Sequence, residues 1–141
     1  MPFGIIQNWI HIAELGGTYK TVICVDNSPI MLQSLKENAD KAYPYADVQA
    51  FLSAEPALDY AEKFGCDILL CEINPPRLEG LFLAEKVKKI NPKVNIIFVT
   101  VCSESEHAKA VKRLKPSGYL TKEATNTQIM EELQNLRYPV A

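Results

Sequence analysis

Three stretches of this chain are apolar almost without interruption: Thr21-Val-Ile-Cys-Val25, Asp67-Ile-Leu-Leu-Cys-Glu-Ile73 and Val94-Asn-Ile-Ile-Phe-Val-Thr100. A strand with one face in water alternates apolar and polar residues. A strand covered on both faces does not, and such strands belong to parallel sheets. A shorter run, Gly118-Tyr-Leu-Thr121, reads the same way. A weaker run from Asp47 to Phe51 alternates and reads as an edge strand.

Helical patterns separate the strands. Ser28 is a good N-cap, and Pro29 suits the first helical position. Leu32, Leu35, Ala39 and Ala42 follow at helical spacing. Ala57, Leu58, Ala61 and Phe64 mark a second helix, and Leu83, Ala84, Val87 and Ile90 a third that stops before Pro92. Ser103 with Glu106 predicts a capping box for a fourth. Thr125 with Gln128 predicts one for a fifth, whose core positions are Ile129, Leu133 and Leu136. Strand followed by helix, five times over, predicts an α/β fold: a doubly wound, five-stranded parallel sheet with right-handed crossovers and helices on both faces.

The bulk composition narrows the function. At 141 residues and 48% hydrophobic, the chain holds one domain with one real core. A net charge of -2 argues against direct nucleic-acid binding through bulk electrostatics. Cys24, Cys66, Cys71 and Cys102 form no C-x-x-C pair, and they read as buried thiols of a reducing, cytoplasmic compartment. The only histidines, His11 and His107, are too few and too scattered to predict a metal cluster. No apolar run reaches the ~18 residues of a membrane span, and the first residues lack the basic start of a secretion signal.

In sheets of this kind the working site lies at the carboxyl ends of the strands. The first strand ends at Asp26-Asn27, the third at Glu72-Ile73-Asn74, the fourth at Thr100 and the fifth at Lys122-Glu123. Two carboxylates, a hydroxyl and an ammonium therefore converge on one edge. Singly, each has an ordinary reading: a helix cap, a strand residue, a solvated charge. Together, in order, they are a specific signal.

Over residues 20 to 137 the sequence resembles the receiver domain of bacterial response regulators. Glu72-Ile73-Asn74-Pro75-Pro76-Arg77-Leu78-Glu79-Gly80 stands against the family pattern D-[IV]-x-M-P-x-[ML]-x-G, matching at Ile73, Pro76, Leu78 and Gly80. The resemblance implies a CheY-like, flavodoxin-like sheet of order 2-1-3-4-5. It places Glu72 at the phosphoacceptor position, and Asp26, Asn27 and Asn74 in the acidic, metal-binding pocket. Thr100, Tyr119 and Lys122 fall at the switch positions.

Three departures bear on that chemistry. Glu72 replaces the aspartate and is one methylene longer, which misaligns its carboxylate for in-line attack. Asn27 replaces an acid, which removes a charge and a strong magnesium ligand. Glu123 replaces the proline that follows the lysine in most members. Since a cis bond before a non-proline residue costs ~3 kcal/mol, the Lys122–Glu123 bond is expected to be trans.

The first reading is therefore a pseudo-receiver that acts by protein contact, with no catalytic residues, no cofactor and weak or absent magnesium binding. Its partner would be a histidine kinase or an output protein. Glu72 is expected to pair with Lys122, with Tyr119 turned outward. The second reading is a working phosphoacceptor, or the receiver part of a DNA-binding transcriptional regulator. The third is an enzyme on a flavodoxin-like sheet, against which stands the lack of a glycine-rich phosphate loop after the first strand.

The organisation expected is an N-terminal helical extension over 1–19, the receiver-like domain over 20–137 and a C-terminal tail over 138–141. In the extension, Phe3, Ile5, Ile6, Trp9, Ile10 and Ala13 recur at helical spacing. The segment reads either as a frayed tail or as an amphipathic helix over 3–14 that packs on its own domain or on a second copy, the dimer contact through Trp9 and Ile10 being the version expected. The face of the fourth helix, fifth strand and fifth helix is the other candidate dimer surface and the expected output face.

Overall fold

The computed structural model describes residues 20–74 and 77–140. The chain runs β1 (Thr21–Val25), α1 (Pro29–Ala42), β2 (Asp47–Phe51), α2 (Ala54–Phe64), β3 (Ile68–Cys71), α3 (Glu79–Ile90), β4 (Asn95–Thr100), a 3-10 turn (Glu104–His107), α4 (Ala108–Leu114), β5 (Gly118–Thr121) and α5 (Asn126–Leu133). The strands form one parallel sheet in the order β2-β1-β3-β4-β5, the order expected. No helix among the described residues is long and apolar enough to cross a membrane. The extension over 1–19 lies outside the described residues.

The apolar runs are unbroken because both faces of the sheet are covered. Successive side chains of a strand point to opposite faces. Ile23, Leu69, Ile96 and Phe98 therefore pack on one side, with Ala57, Ala61, Leu83, Ala84 and Val87. Val22, Cys24, Ile68, Leu70, Ile97 and Val99 pack on the other, with Leu32, Leu35, Ile129 and Leu133. Each large side chain fully buried here stabilises the fold by roughly 1.5–3 kcal/mol before the entropy of ordering it is counted. Most apolar helical positions reach the core, while Ile30 and Phe82 face solvent. Phe64 and Ile90 stay exposed, and Phe64 instead lays its ring 4.6 Å from that of Tyr60.

Most boundaries follow local chemistry. The Ser28 hydroxyl accepts from the Met31 N–H, with Pro29 at the first helical position. Thr125 and Gln128 form the expected capping box. The box expected at Ser103 and Glu106 is not formed: the Ser103 hydroxyl bonds that of Ser105 at 3.0 Å, and the segment enters α4 through a 3-10 turn. β3 is shorter at both ends than its apolar run. Asp67 turns its carboxylate onto the Thr21 N–H (2.9 Å), and the Ile73 carbonyl accepts from the Gly80 N–H (3.1 Å) in the turn that leads to α3.

The last described residues are tied down where a tail was expected. Asn95 is wholly buried at the amino end of β4. Its amide nitrogen donates to the carbonyl of Tyr138 (2.7 Å), and its amide oxygen accepts from the N–H of Tyr138 (2.7 Å) and the hydroxyl of Ser117 (2.8 Å). Val140 packs on the same face of the sheet as α1 and α5.

Candidate functional site

Register builds the site. Val25 pairs with Cys71 across β1 and β3, so the next residues, Asp26 and Glu72, emerge side by side at the carboxyl edge. Thr100 pairs with Thr121 across β4 and β5, which puts Lys122 just beyond the same edge. The long lysine side chain reaches back across β4. Its Nζ donates to Glu72 Oε1 at 2.9 Å and to Asp26 Oδ1 at 3.1 Å. The pair expected between Glu72 and Lys122 is formed, and Asp26 shares the ammonium.

All three groups are shielded. The side chains of Asp26, Glu72 and Lys122 are 0%, 9% and 13% exposed. Asp26 is held further by the Ser28 N–H, which donates to Oδ1 at 2.9 Å. Its Oδ2 lies 2.9 Å from Nζ, yet accepts no hydrogen bond because the geometry is off-line. Burial alone would lower the pKa of Lys122. The bonds to Asp26 and Glu72 and the attraction of both carboxylates outweigh it and hold the ammonium above its ordinary value.

The remaining positions do not join this network. Asn27 is exposed. Asn74 adopts a left-handed backbone (φ 62°), donates its side-chain amide to Glu79 at 2.9 Å, and accepts the Leu78 N–H at its carbonyl. Thr100 is fully buried and shares a 3.4 Å hydrogen bond with the Cys102 thiol. Tyr119 is half-buried, where an outward ring was expected. It packs 6.0 Å from the Phe98 ring and donates its hydroxyl to the Cys102 carbonyl at 2.8 Å. Lys109, Lys112 and Arg113 of α4 are exposed.

The Lys122–Glu123 peptide bond is cis, which corrects the trans expectation. That expectation weighed only the local preference. The chain is fixed on both sides of the bond: the Lys122 N–H donates to the Thr100 carbonyl at 2.7 Å, its ammonium is held in the pocket, and Thr125 caps α5.

Cys24, Cys66, Cys71 and Cys102 are all free and buried. Burial pushes Cys24 up to about 12 and raises Cys66 and Cys71 as well, so these three thiols stay protonated and inert. Sequence reasoning passed over the Ser28 N–H, which needed the turn after β1 to be known. It also passed over the approach of Glu106 and His107 to Cys102.

Two acids and a lysine gathered at the carboxyl edge of a doubly wound parallel sheet are the arrangement expected of a receiver domain. The model of the response regulator receiver domain matches residues 22–134, and the chain belongs to that family. It is similar to the response regulator GacA of Pseudomonas viridiflava, 26% identical over 82 residues, covering 58% of this chain and 38% of that protein. It is also similar to the nitrate/nitrite response regulator protein NarL of Escherichia coli, 21% identical over 113 residues, covering 80% of this chain and 52% of that one. The chain thus spans about half or less of the length of these relatives. Among solved structures it resembles a CheY-like receiver domain protein from Methanospirillum hungatei, with TM-score 0.71 and 23% identity over 83% of this chain and 92% of that one. The BeF3-activated DrrB receiver domain gives a TM-score of 0.70 at 17% identity, over 83% and 96%.

Proposed function

We propose that this receiver domain signals without accepting a phosphoryl group, with Lys122 bridging Asp26 and Glu72 in place of a phosphorylation-dependent contact. The observation that carries the reading is the 2.9 Å bond from Lys122 Nζ to Glu72 Oε1. The ammonium holds one oxygen of the carboxylate, and the extra methylene of glutamate takes the group away from in-line geometry.

The donor set does not fit magnesium either. Asp26 Oδ2, a buried oxygen without a hydrogen bond, is the kind of atom a cation takes. Yet Lys122 Nζ already lies 2.9 Å from it and from Glu72 Oε1, Asn27 is neutral and exposed, and the Asn74 carbonyl is engaged by Leu78. Magnesium demands charged oxygens in near-octahedral array, so its binding here is weak or absent.

Output then passes by protein contact through the face of α4, β5 and α5, which carries the exposed Lys109, Lys112 and Arg113 and the half-buried Tyr119. Its partner is a histidine kinase or an output protein that offers acidic groups to that face, in the cytoplasm. The test is incubation with acetyl phosphate and magnesium followed by intact mass. The expected result is no added mass, and a gain of one phosphate overturns the reading. Charge reversal at Lys109 and Lys112 is expected to abolish partner binding.

A further inference from the structure

Away from the carboxylate pocket, the segment between β4 and α4 gathers three different metal-ligating side chains. The Cys102 Sγ, a carboxylate oxygen of Glu106 and an imidazole nitrogen of His107 all lie within 4.8 Å of one another. The chain brings them together because the 3-10 turn over 104–107 folds back after β4, with the Glu106 N–H donating to the Ser103 carbonyl at 3.1 Å. Residues four and five positions after Cys102 thereby return to it. Cys102 is 3% exposed, Glu106 is exposed and His107 half-buried. The thiol lies on the protein side and the other two ligands face the direction from which an ion enters.

We propose that Cys102, Glu106 and His107 form a zinc site, with one donor from each side chain and water as the fourth ligand. Thiolate, imidazole and carboxylate are the donors zinc takes, and three protein ligands plus water is a common zinc arrangement. A thiolate disfavours the hard ions magnesium and calcium. On binding, the Zn–S bond forms, the S–H bond breaks, and the proton leaves to solvent. The Thr100 hydroxyl, 3.4 Å from Sγ, then donates to the thiolate and supports it from behind.

The site would be read at the output face. The carbonyl of Cys102 accepts the Tyr119 hydroxyl at 2.8 Å, so an ion that fixes Cys102 also fixes the partner of Tyr119. This inference goes beyond the phosphorylation-independent reading and does not depend on it.

The test uses the full chain and cobalt(II) as the probe, then displacement by zinc. A thiolate-to-cobalt charge-transfer band in the near ultraviolet is expected at one equivalent, and it disappears in Cys102→Ser. Glu106→Gln and His107→Gln lie at the solvent side, so the fold survives them. Each is expected to weaken binding by more than the roughly 10–100-fold that loss of a supporting partner costs at metal sites. The tyrosine ring signals of the wild type, Tyr119 foremost, are expected to shift with the ion. No band in the wild type, a band that persists in Cys102→Ser, or unchanged affinity in both Glu106→Gln and His107→Gln overturns the proposal.

Discussion

The backbone carbonyl of Glu72 leaves no room for a side chain at Gly80: a β-carbon there would stand 1.4 Å from that oxygen. The turn into α3 therefore packs backbone against backbone beneath the residue that carries the pocket's charge. The Gly80 N–H also donates to the Ile73 carbonyl at 3.1 Å, which locks the approach.

Gly80→Ala is expected to destabilise the fold by about 3 kcal/mol or more, because the obstruction is main chain and cannot rotate away. Gly118→Ala is the contrast. Its β-carbon would meet Glu132 Oε2 at 2.1 Å, the end of a flexible side chain that can swing into water, so its loss is expected to stay within about 1 kcal/mol. Urea melts of the two variants measure the difference, and equal losses would refute the backbone argument.

Lys122→Ala leaves the carboxylates of Asp26 and Glu72 shielded from water with no cation between them. Removal of one partner from a buried ion pair costs about 3–5 kcal/mol. Glu72→Gln keeps the bond from Lys122 to Asp26, and its expected cost is about 1–3 kcal/mol. Equal unfolding free energies for the two variants would show that the ammonium does not hold the pocket together.

The alkaline limb of stability carries the same signature. The pKa of Lys122 is raised in the folded state. Its contribution is then complete below the unfolded value of about 10.4 and is lost as pH climbs through the higher folded value. Stability measured from pH 9 upward is expected to fall more steeply in the wild type than in Lys122→Gln. Parallel slopes would contradict the shift.

Glu72→Asp alone is expected to gain no phosphate from acetyl phosphate and magnesium, since the neutral, exposed Asn27 still supplies no second acid. Glu72→Asp combined with Asn27→Asp is expected to gain one. Intact mass reads both variants, and phosphorylation of the single variant would show that Asn27 is not the obstacle.

The fold was legible because its strongest signals are local. Unbroken apolar runs located β1, β4 and β5 to within a residue, and side chains such as Ser28 and Thr125 announced the helix starts. Of the site, the meeting of Glu72 and Lys122 followed from strand ends in a parallel sheet. That Asp26 shares the lysine depends on how far a long side chain bends across β4, and no pattern encodes that. The cis bond at Lys122–Glu123 was hidden because its local preference is overruled by what fixes the chain on either side. The empty capping position at Ser103 was hidden because a neighbouring hydroxyl competes for the same side chain. The Cys102, Glu106 and His107 group went unseen because a count of histidines ignores what one tight turn brings together.

Asn95 gives α5 a fixed lower end. The helix starts at its Thr125 cap near the pocket, and the chain beyond it is clasped at Tyr138 by an amide buried at the opposite edge of the sheet. The two edges of the sheet are thus joined by one segment of chain, and displacement of the helix at its Thr125 end is opposed at the other by two hydrogen bonds between Asn95 and Tyr138.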